Sequence, residues 1–234
     1  MKISDYELKV KEALQETLKF SYFKGTNNEK ALIMYSGGMD SVALAWNVLE
    51  HTNQEVHIHS IHLHNLENRI NAEAAAIQKS IEYLQKNQRP FEFSSSTYSW
   101  LSKYVGGKDM TLMMFQAARV LSGTGESFNI VYSGDYNMTK EETAEAYGVF
   151  NAANINRRNK PIWLTPFTDM VKTPVDRSLG IYLSMPEELR EKYWSCRTPS
   201  QSSAGFLKCG KCHACKRQHA MFEKLKTLSE QEKQ

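Results

Sequence analysis

The apolar run Ala31-Leu32-Ile33-Met34-Tyr35 passes directly into Ser36-Gly37-Gly38-Met39-Asp40-Ser41 and then into Val42-Ala43-Leu44-Ala45-Trp46-Asn47-Val48-Leu49. No other feature constrains the fold of this chain as much. A short, unbroken apolar run reads as a strand buried on both faces of a parallel sheet. The two glycines allow a tight turn and a close approach of backbone to a ligand. The residues after Asp40 have helical composition and spacing. Strand, glycine turn and helix N-terminus together aim several backbone N–H groups at one point, where an anion would bind. Ser36 and Ser41 add hydroxyl donors, and Asp40 can hold Mg²⁺ or orient the loop.

Further strands and helices alternate along the chain. Strands are expected at 55–63, 90–93, 128–132 and 161–167, and helices at 40–50, 68–86, 110–121, 139–147 and 170–180. Ser94-Ser95-Ser96-Thr97 reads as a polar loop. An amphipathic helix is expected over 4–20, ending at Gly25-Thr26-Asn27-Asn28. The alternation predicts an α/β chain with a doubly wound, parallel, five-stranded sheet. The expected division is an N-terminal helical extension (1–28), a nucleotide-binding domain (29–180) and a small helical C-terminal subdomain (181–234). Ligands of such sheets bind at the carboxyl ends of strands. Four polar clusters sit at expected strand ends: Ser36–Ser41, His64–Arg69, Ser133–Asn137 and Thr168–Lys172.

Charge and composition narrow the class. Net charge is +3, hydrophobic content 41% and charged content 24%. These are values of a folded, water-soluble domain, and they demand no nucleic-acid partner, although contact with one stays possible. The basic residues Lys208, Lys211, Lys216, Arg217, Lys224 and Lys226 are interspersed with Glu223 and Glu230, as on a solvated helix face. No apolar run approaches the ~20 residues of a membrane span. The N-terminus places acidic residues where a signal peptide needs an apolar core, so a cytoplasmic protein is expected.

All four cysteines lie late in the chain: Cys196, Cys209, Cys212 and Cys215. This spacing reads as a metal site rather than a disulfide framework. Four thiolates leave no open coordination position, so structural zinc is expected; a [4Fe–4S] cluster uses the same four ligands and is the rival. His213 is not needed. His57, His59, His62 and His64 invite a second metal reading, but side chains alternate along a strand. His57 and His59 fall on one face, His62 and His64 on the other, and a structural role is expected.

The loop lacks the Gly-Lys-[Ser/Thr] of a Walker A motif. It resembles instead the SGGxDS loop of the PP-loop ATP pyrophosphatases, which cleave ATP to AMP and pyrophosphate. With Trp194-Ser195-Cys196 and Cys209-Gly210-Lys211-Cys212-His213-Ala214-Cys215, the chain resembles the 7-cyano-7-deazaguanine synthase (QueC) family over roughly residues 30–220. The resemblance implies a Rossmann-like PP-loop fold and two ATP-dependent steps. The carboxylate of 7-carboxy-7-deazaguanine is adenylated and aminated by ammonia; the amide is then adenylated and loses AMP to give the nitrile preQ0, in queuosine biosynthesis. It implies ATP bound by Ser36, Gly37, Gly38, Asp40 and Ser41, with Mg²⁺ at Asp40. Lys172, in Asp169-Met170-Val171-Lys172, would neutralise developing charge. Arg69, Lys108 and Asp135 are candidates for substrate or nucleotide contact. A homodimer is the expected assembly.

The chain departs from that pattern. Arg69 and Glu73 fall in a segment whose Tyr, Gly and His do not match, and the YVPxRN segment of the family is here Tyr104-Val105-Gly106-Gly107-Lys108-Asp109. Two alternatives therefore stand beside preQ0 synthesis: a PP-loop adenylating enzyme with an altered acceptor (an amide-forming deazapurine enzyme, or one modifying a protein or nucleic acid), and a tRNA thiolase. The thiolase wants a catalytic cysteine pair or a redox cluster, and no cysteine lies outside the C-terminal group.

Overall fold

The computed structural model describes residues 29–67, 69–100, 109–123, 128–134, 139–158, 160–167 and 173–232, together with Ile3, Asp5, Leu8 and Glu12. The strands Lys30–Tyr35 (β1), Glu55–Asn65 (β2), Glu92–Trp100 (β3), Phe128–Ser133 (β4) and Ile162–Leu164 (β5) form one parallel sheet in the order β3-β2-β1-β4-β5. The chain thus lays β2 and β3 on one side of β1, then returns to place β4 and β5 on the other. The crevice above β1 and β4, where the winding reverses, is where a sheet of this kind binds ligands.

The helices are Met39–His51 (α1), Ile70–Asn87 (α2), Asp109–Gly123 (α3), Lys140–Ala153 (α4), Pro174–Leu183 (α5), Glu187–Arg190 (α6) and His213–Gln231 (α7). They cover both faces of the sheet, and β1 shows why its sequence is apolar throughout. Ala31, Ile33 and Tyr35 pack into the core with α1, α2, α5 and α7, whereas Leu32 and Met34 pack into the core with α3 and α4. Burying Leu32 and Ile33 completely stabilises the fold by roughly 1.5–3 kcal/mol each. Tyr35 keeps its buried hydroxyl satisfied on Ser80 Oγ at 2.7 Å. Leu189, Tyr193, Met221 and Leu228 from the C-terminal segment belong to the same core as Ile33. A small antiparallel hairpin, Ser200–Ser202 (β6) with Gly205–Leu207 (β7), precedes the last three cysteines.

Four expected elements differ, the fifth strand among them: expected over 161–167, it is limited to Ile162–Leu164. The polar loop at 94–97 lies inside β3, paired residue by residue with β2 from Ser94 opposite His59 to Thr97 opposite His62. An edge strand tolerates polar side chains, and here two serine hydroxyls are used by β2 histidines. The helix expected at 139–147 runs on to Ala153, because Ala146 and Phe150, one turn apart, are both buried. A capping box between Thr139 and Glu142 starts it. The helix expected at 170–180 is Pro174–Leu183: Thr173 caps Asp176 N–H, and Pro174 takes the first helical position, where a missing N–H costs nothing. Of the N-terminal extension, the four described residues are helical and Ile3 packs against the core; the rest of 1–28 lies outside the described residues. Among the described residues no helix is long and apolar enough to cross a membrane.

Candidate active site and metal centre

The Ser36–Ser41 loop occupies the carboxyl end of β1, as its sequence implies. Gly37 has φ +71°, a conformation that side chains disfavour, and a Cβ there would meet Ile77 Cγ1 at 2.7 Å. Ser41 Oγ donates to Gly38 O at 3.0 Å and accepts from Ser36 N–H at 3.2 Å, which closes the loop on itself. Gly38 is the N-cap of α1, and no side chain caps that helix. The N-terminal end of α1 is therefore open to an anion. The loop is also pressed from β4: a Cβ on Gly134 would lie 2.6–2.7 Å from backbone atoms of Asp40 and Ser41. A side chain at Gly134 would push the loop out of place.

The loop opens into a cavity of about 570 Å³, within the range of small-molecule sites. Its walls include Ser36, Gly38, Asp40 and Ser41 on the loop, and Arg69, Asp109 and Arg197 elsewhere. Three of the four polar clusters expected at strand ends supply lining residues: Ser36–Ser41, His64–Arg69 and Ser133–Asn137, the last through Gly134. Thr168 and the Asp169–Lys172 segment, like Asp135 and Lys108, lie outside the described residues.

Arg69 is in the cavity but is not a bare cation. Only 8% exposed, it binds Asp109, and its Nε lies 3.0 Å from Glu67 and 3.3 Å from Glu73. Arg197 reaches the same network, with Nη1 3.2 Å from Glu67 Oε2 and 2.5 Å from Asp109 Oδ2. Burial pulls the Asp109 carboxyl upward, but Arg69 and Arg197 outweigh it and hold Asp109 below the usual carboxylate range. Glu73 goes the other way: burial, opposed by Arg69 and reinforced by Asp109, pushes it up to about 7. Glu67 belongs to the polar cluster His64–Arg69 at a strand end, Asp109 stands out only as a departure from a family pattern, and no local signal marks Arg197. Arg69 and Glu73 stand one helical turn apart, a spacing the sequence offers, but Asp109 and Arg197 come from distant segments that only the fold brings to them.

The four cysteines do converge. One ligand sulfur from each of Cys196, Cys209, Cys212 and Cys215 lies within 4.8 Å of the others, with Cys209 Sγ 4.0 Å from Cys215 Sγ. This group can hold a metal ion. Backbone N–H groups support it: Cys209 N–H points to Cys196 Sγ (3.2 Å), Cys212 N–H to Cys209 Sγ (3.3 Å) and Arg197 N–H to Cys212 Sγ (3.5 Å). Such donors favour sulfur in its thiolate form. Hydrogen bonds from Thr198 first, then from the Cys212 and Lys211 backbone, lower the Cys209 thiol to about 5, whereas burial raises Cys196 and Cys215. His213 lines the cavity and is no member of the cysteine group.

His57 and His59 share one face of β2, as strand alternation predicts. His57 Nε2 and His59 Nδ1 both lie 2.7 Å from Ser94 Oγ, and His59 Nε2 lies 3.0 Å from Ser96 Oγ. Burial, with His57 and His62 nearby, lowers His59 to about 4 and keeps it neutral. Among the described residues, the cysteines are the one group of side chains arranged to hold a metal.

No family model matches the sequence, and no curated protein matches it. Among solved structures, the fold is similar to that of the U34-tRNA thiolase NcsA from Methanococcus maripaludis with its [4Fe-4S] cluster. The two align with a TM-score of 0.49 at 16% identity, over 97% of this chain and 80% of that chain.

Proposed function

We propose that this chain is an adenylating enzyme of the PP-loop type, which cleaves ATP to AMP and pyrophosphate to activate an acid. The observation that carries this reading is the Ser36–Ser41 loop: it presents an uncapped helix N-terminus to a cavity of small-molecule size, held in place by the close approach of Gly134. The loop N–H groups and the Ser36 and Ser41 hydroxyls would hold the phosphates. Asp40, in the first turn of α1 and on the cavity wall, would hold Mg²⁺, which supplies charge neutralisation at the phosphates. Lys172 would add positive charge from the segment after β5.

The chemistry suits such a pocket. A carboxylate oxygen of the acid attacks the α-phosphorus; the bond to the β-phosphate oxygen breaks and pyrophosphate leaves. Ammonia then attacks the acyl carbon, AMP leaves with the carbon–oxygen electron pair, and a proton is lost to give the amide. In a second round the amide oxygen is adenylated, and loss of AMP and protons forms a nitrile. The enzyme contributes mainly by holding acid, phosphate and cation in line.

The acid we favour for the first test is 7-carboxy-7-deazaguanine. A different acid is the second reading, and Asp109 favours it: a carboxylate of the protein itself already engages both Arg69 and Arg197. Thiolation has less support, because all four cysteines of the chain belong to one group. For that group we favour zinc. Thiolates about 2.3 Å from a single tetrahedral ion lie about 3.8 Å apart. A [4Fe–4S] cube with iron at four corners needs them spread over roughly 6 Å. The four sulfurs, all within 4.8 Å of one another, suit the single ion.

Incubation with ATP, Mg²⁺, ammonia and 7-carboxy-7-deazaguanine, followed by mass spectrometry, tests the reading. Amide or nitrile formed with AMP supports it in full. AMP released only with some other carboxylate moves the acceptor and keeps the adenylation.

A further inference from the structure

We propose that Arg197 is a positioning residue that couples the four-cysteine metal group to the ligand pocket. The residue stands between them. It follows the buried Cys196 directly, and its backbone N–H is directed at Cys212 Sγ, 3.5 Å away. Its guanidinium extends from that anchor to Glu67 and Asp109 on the cavity wall. Asp109 is shared with Arg69, so one carboxylate from the start of α3 is gripped by two arginines on separate segments.

The same short segment also touches the phosphate loop. Trp194 N–H donates to Gly37 O at 2.9 Å, and the Trp194 indole N–H donates to Cys196 O at 3.0 Å. Residues 194–197 are therefore bound to the loop at one end, to the ion-pair network at the other, and to the thiolates behind. A metal that fixes Cys196 and Cys212 fixes where Arg197 begins. Where Arg197 begins decides whether its guanidinium reaches Asp109.

An isolated ion pair at this exposure would carry little, since the Arg197 and Asp109 side chains are 44% and 43% exposed. The shared partner changes that. Arg69 is buried, and without Asp109 its charge would lose a principal counter-ion in a poorly hydrated site. Displacing Arg197 therefore disturbs Asp109 and, through it, Arg69. Coupling of this kind is reciprocal: whatever the metal does for the ion-pair network, the network does for the metal.

The inference rests on the metal reading and is independent of which acid is activated. The test is the rate at which metal passes from the protein to excess chelator. The variants are Asp109→Asn, Glu67→Gln, Arg197→Lys, Arg197→Gln and the double variant Asp109→Asn/Arg197→Gln, none of which alters a sulfur ligand. Asp109→Asn and Arg197→Gln should each speed release roughly threefold to tenfold, a coupling of ordinary size. The double variant should be no faster than Arg197→Gln alone, since both changes cut one connection. Arg197→Lys, which keeps charge but loses the planar fork, should fall between wild type and Arg197→Gln. A merely local role for Arg197 would speed release in its own variants and leave Asp109→Asn at the wild-type rate. Wild-type release from both Asp109→Asn and Glu67→Gln overturns the coupling alone. Purified wild-type protein without metal overturns the coupling and the metal reading together, while leaving adenylation to be judged by AMP.

Discussion

The two walls of the pocket are built by opposite means. The wall at β1 and β4 is made of backbone. Its key residues are small, its shape depends on what is absent at Gly37 and Gly134, and its binding groups are N–H donors fixed by a helix. The opposite wall is made of long charged side chains, Glu67, Arg69, Glu73, Asp109 and Arg197, whose positions depend on one another. A backbone wall suits a ligand group common to all substrates of its kind, such as a triphosphate. A side-chain wall can be altered residue by residue.

If that contrast holds, the largest response should come from the backbone wall. Gly134→Ala places a methyl group 2.6–2.7 Å from Asp40 and Ser41 backbone, which cannot yield as a flexible side chain would. We expect a stability loss of roughly 1–3 kcal/mol, typical of overpacking, and a loss of ATP affinity of about tenfold or more. Thermal unfolding and nucleotide titration measure both. Nucleotide affinity at the wild-type level would break the contrast.

The side-chain wall should respond more modestly and through pH. The folded-state pKa of Glu73 is raised to about 7, first by burial. Between about 4.5, its ordinary value, and 7, the folded state holds the proton and the unfolded state has lost it. This contribution to stability is complete below pH 4.5, declines as pH rises and is gone above 7. Glu73→Gln, which cannot ionise, should gain stability relative to wild type progressively across that window, by about 3 kcal/mol in all, and keep the gain above it. Denaturant curves at several pH values would show it; a constant difference between the two proteins would contradict the burial argument. The smallest change is the comparison Gly148→Ala, within α4 and with nothing within 4 Å of the added methyl. It should stabilise by about 0.5–1 kcal/mol from helix propensity alone. It separates the general cost or benefit of replacing glycine from the specific crowding at Gly134.

The same contrast explains what was legible in the sequence. Ala31–Leu49 encodes strand, turn and helix in consecutive residues, so the fold class and the place of the Ser36–Ser41 loop could be read from it. The cysteines were legible because their spacing is local and no other cysteine competes. β3 was cut short at Phe93 because Ser94–Thr97 has the composition of a loop; its pairing with β2 and the use of Ser94 and Ser96 by two histidines are tertiary facts. The helix begins at Pro174 rather than 170 because Thr173 caps it, a local signal that the apolar spacing alone does not carry. The ion-pair network was invisible for a deeper reason. Asp109 and Arg197 are 88 positions apart, and only the fold brings both to Arg69 and its neighbours.

The central claim is that the Ser36–Ser41 loop presents ATP for attack at its α-phosphorus. The direct measurement is ³¹P NMR of ATP turned over by the wild-type protein with Mg²⁺, ammonia and a panel of carboxylic acids, beside Asp40→Ala as control. The account predicts AMP and pyrophosphate in equal amounts with at least one acid, and neither product from Asp40→Ala. ADP and inorganic phosphate as the products, or AMP formation undiminished in Asp40→Ala, would contradict it.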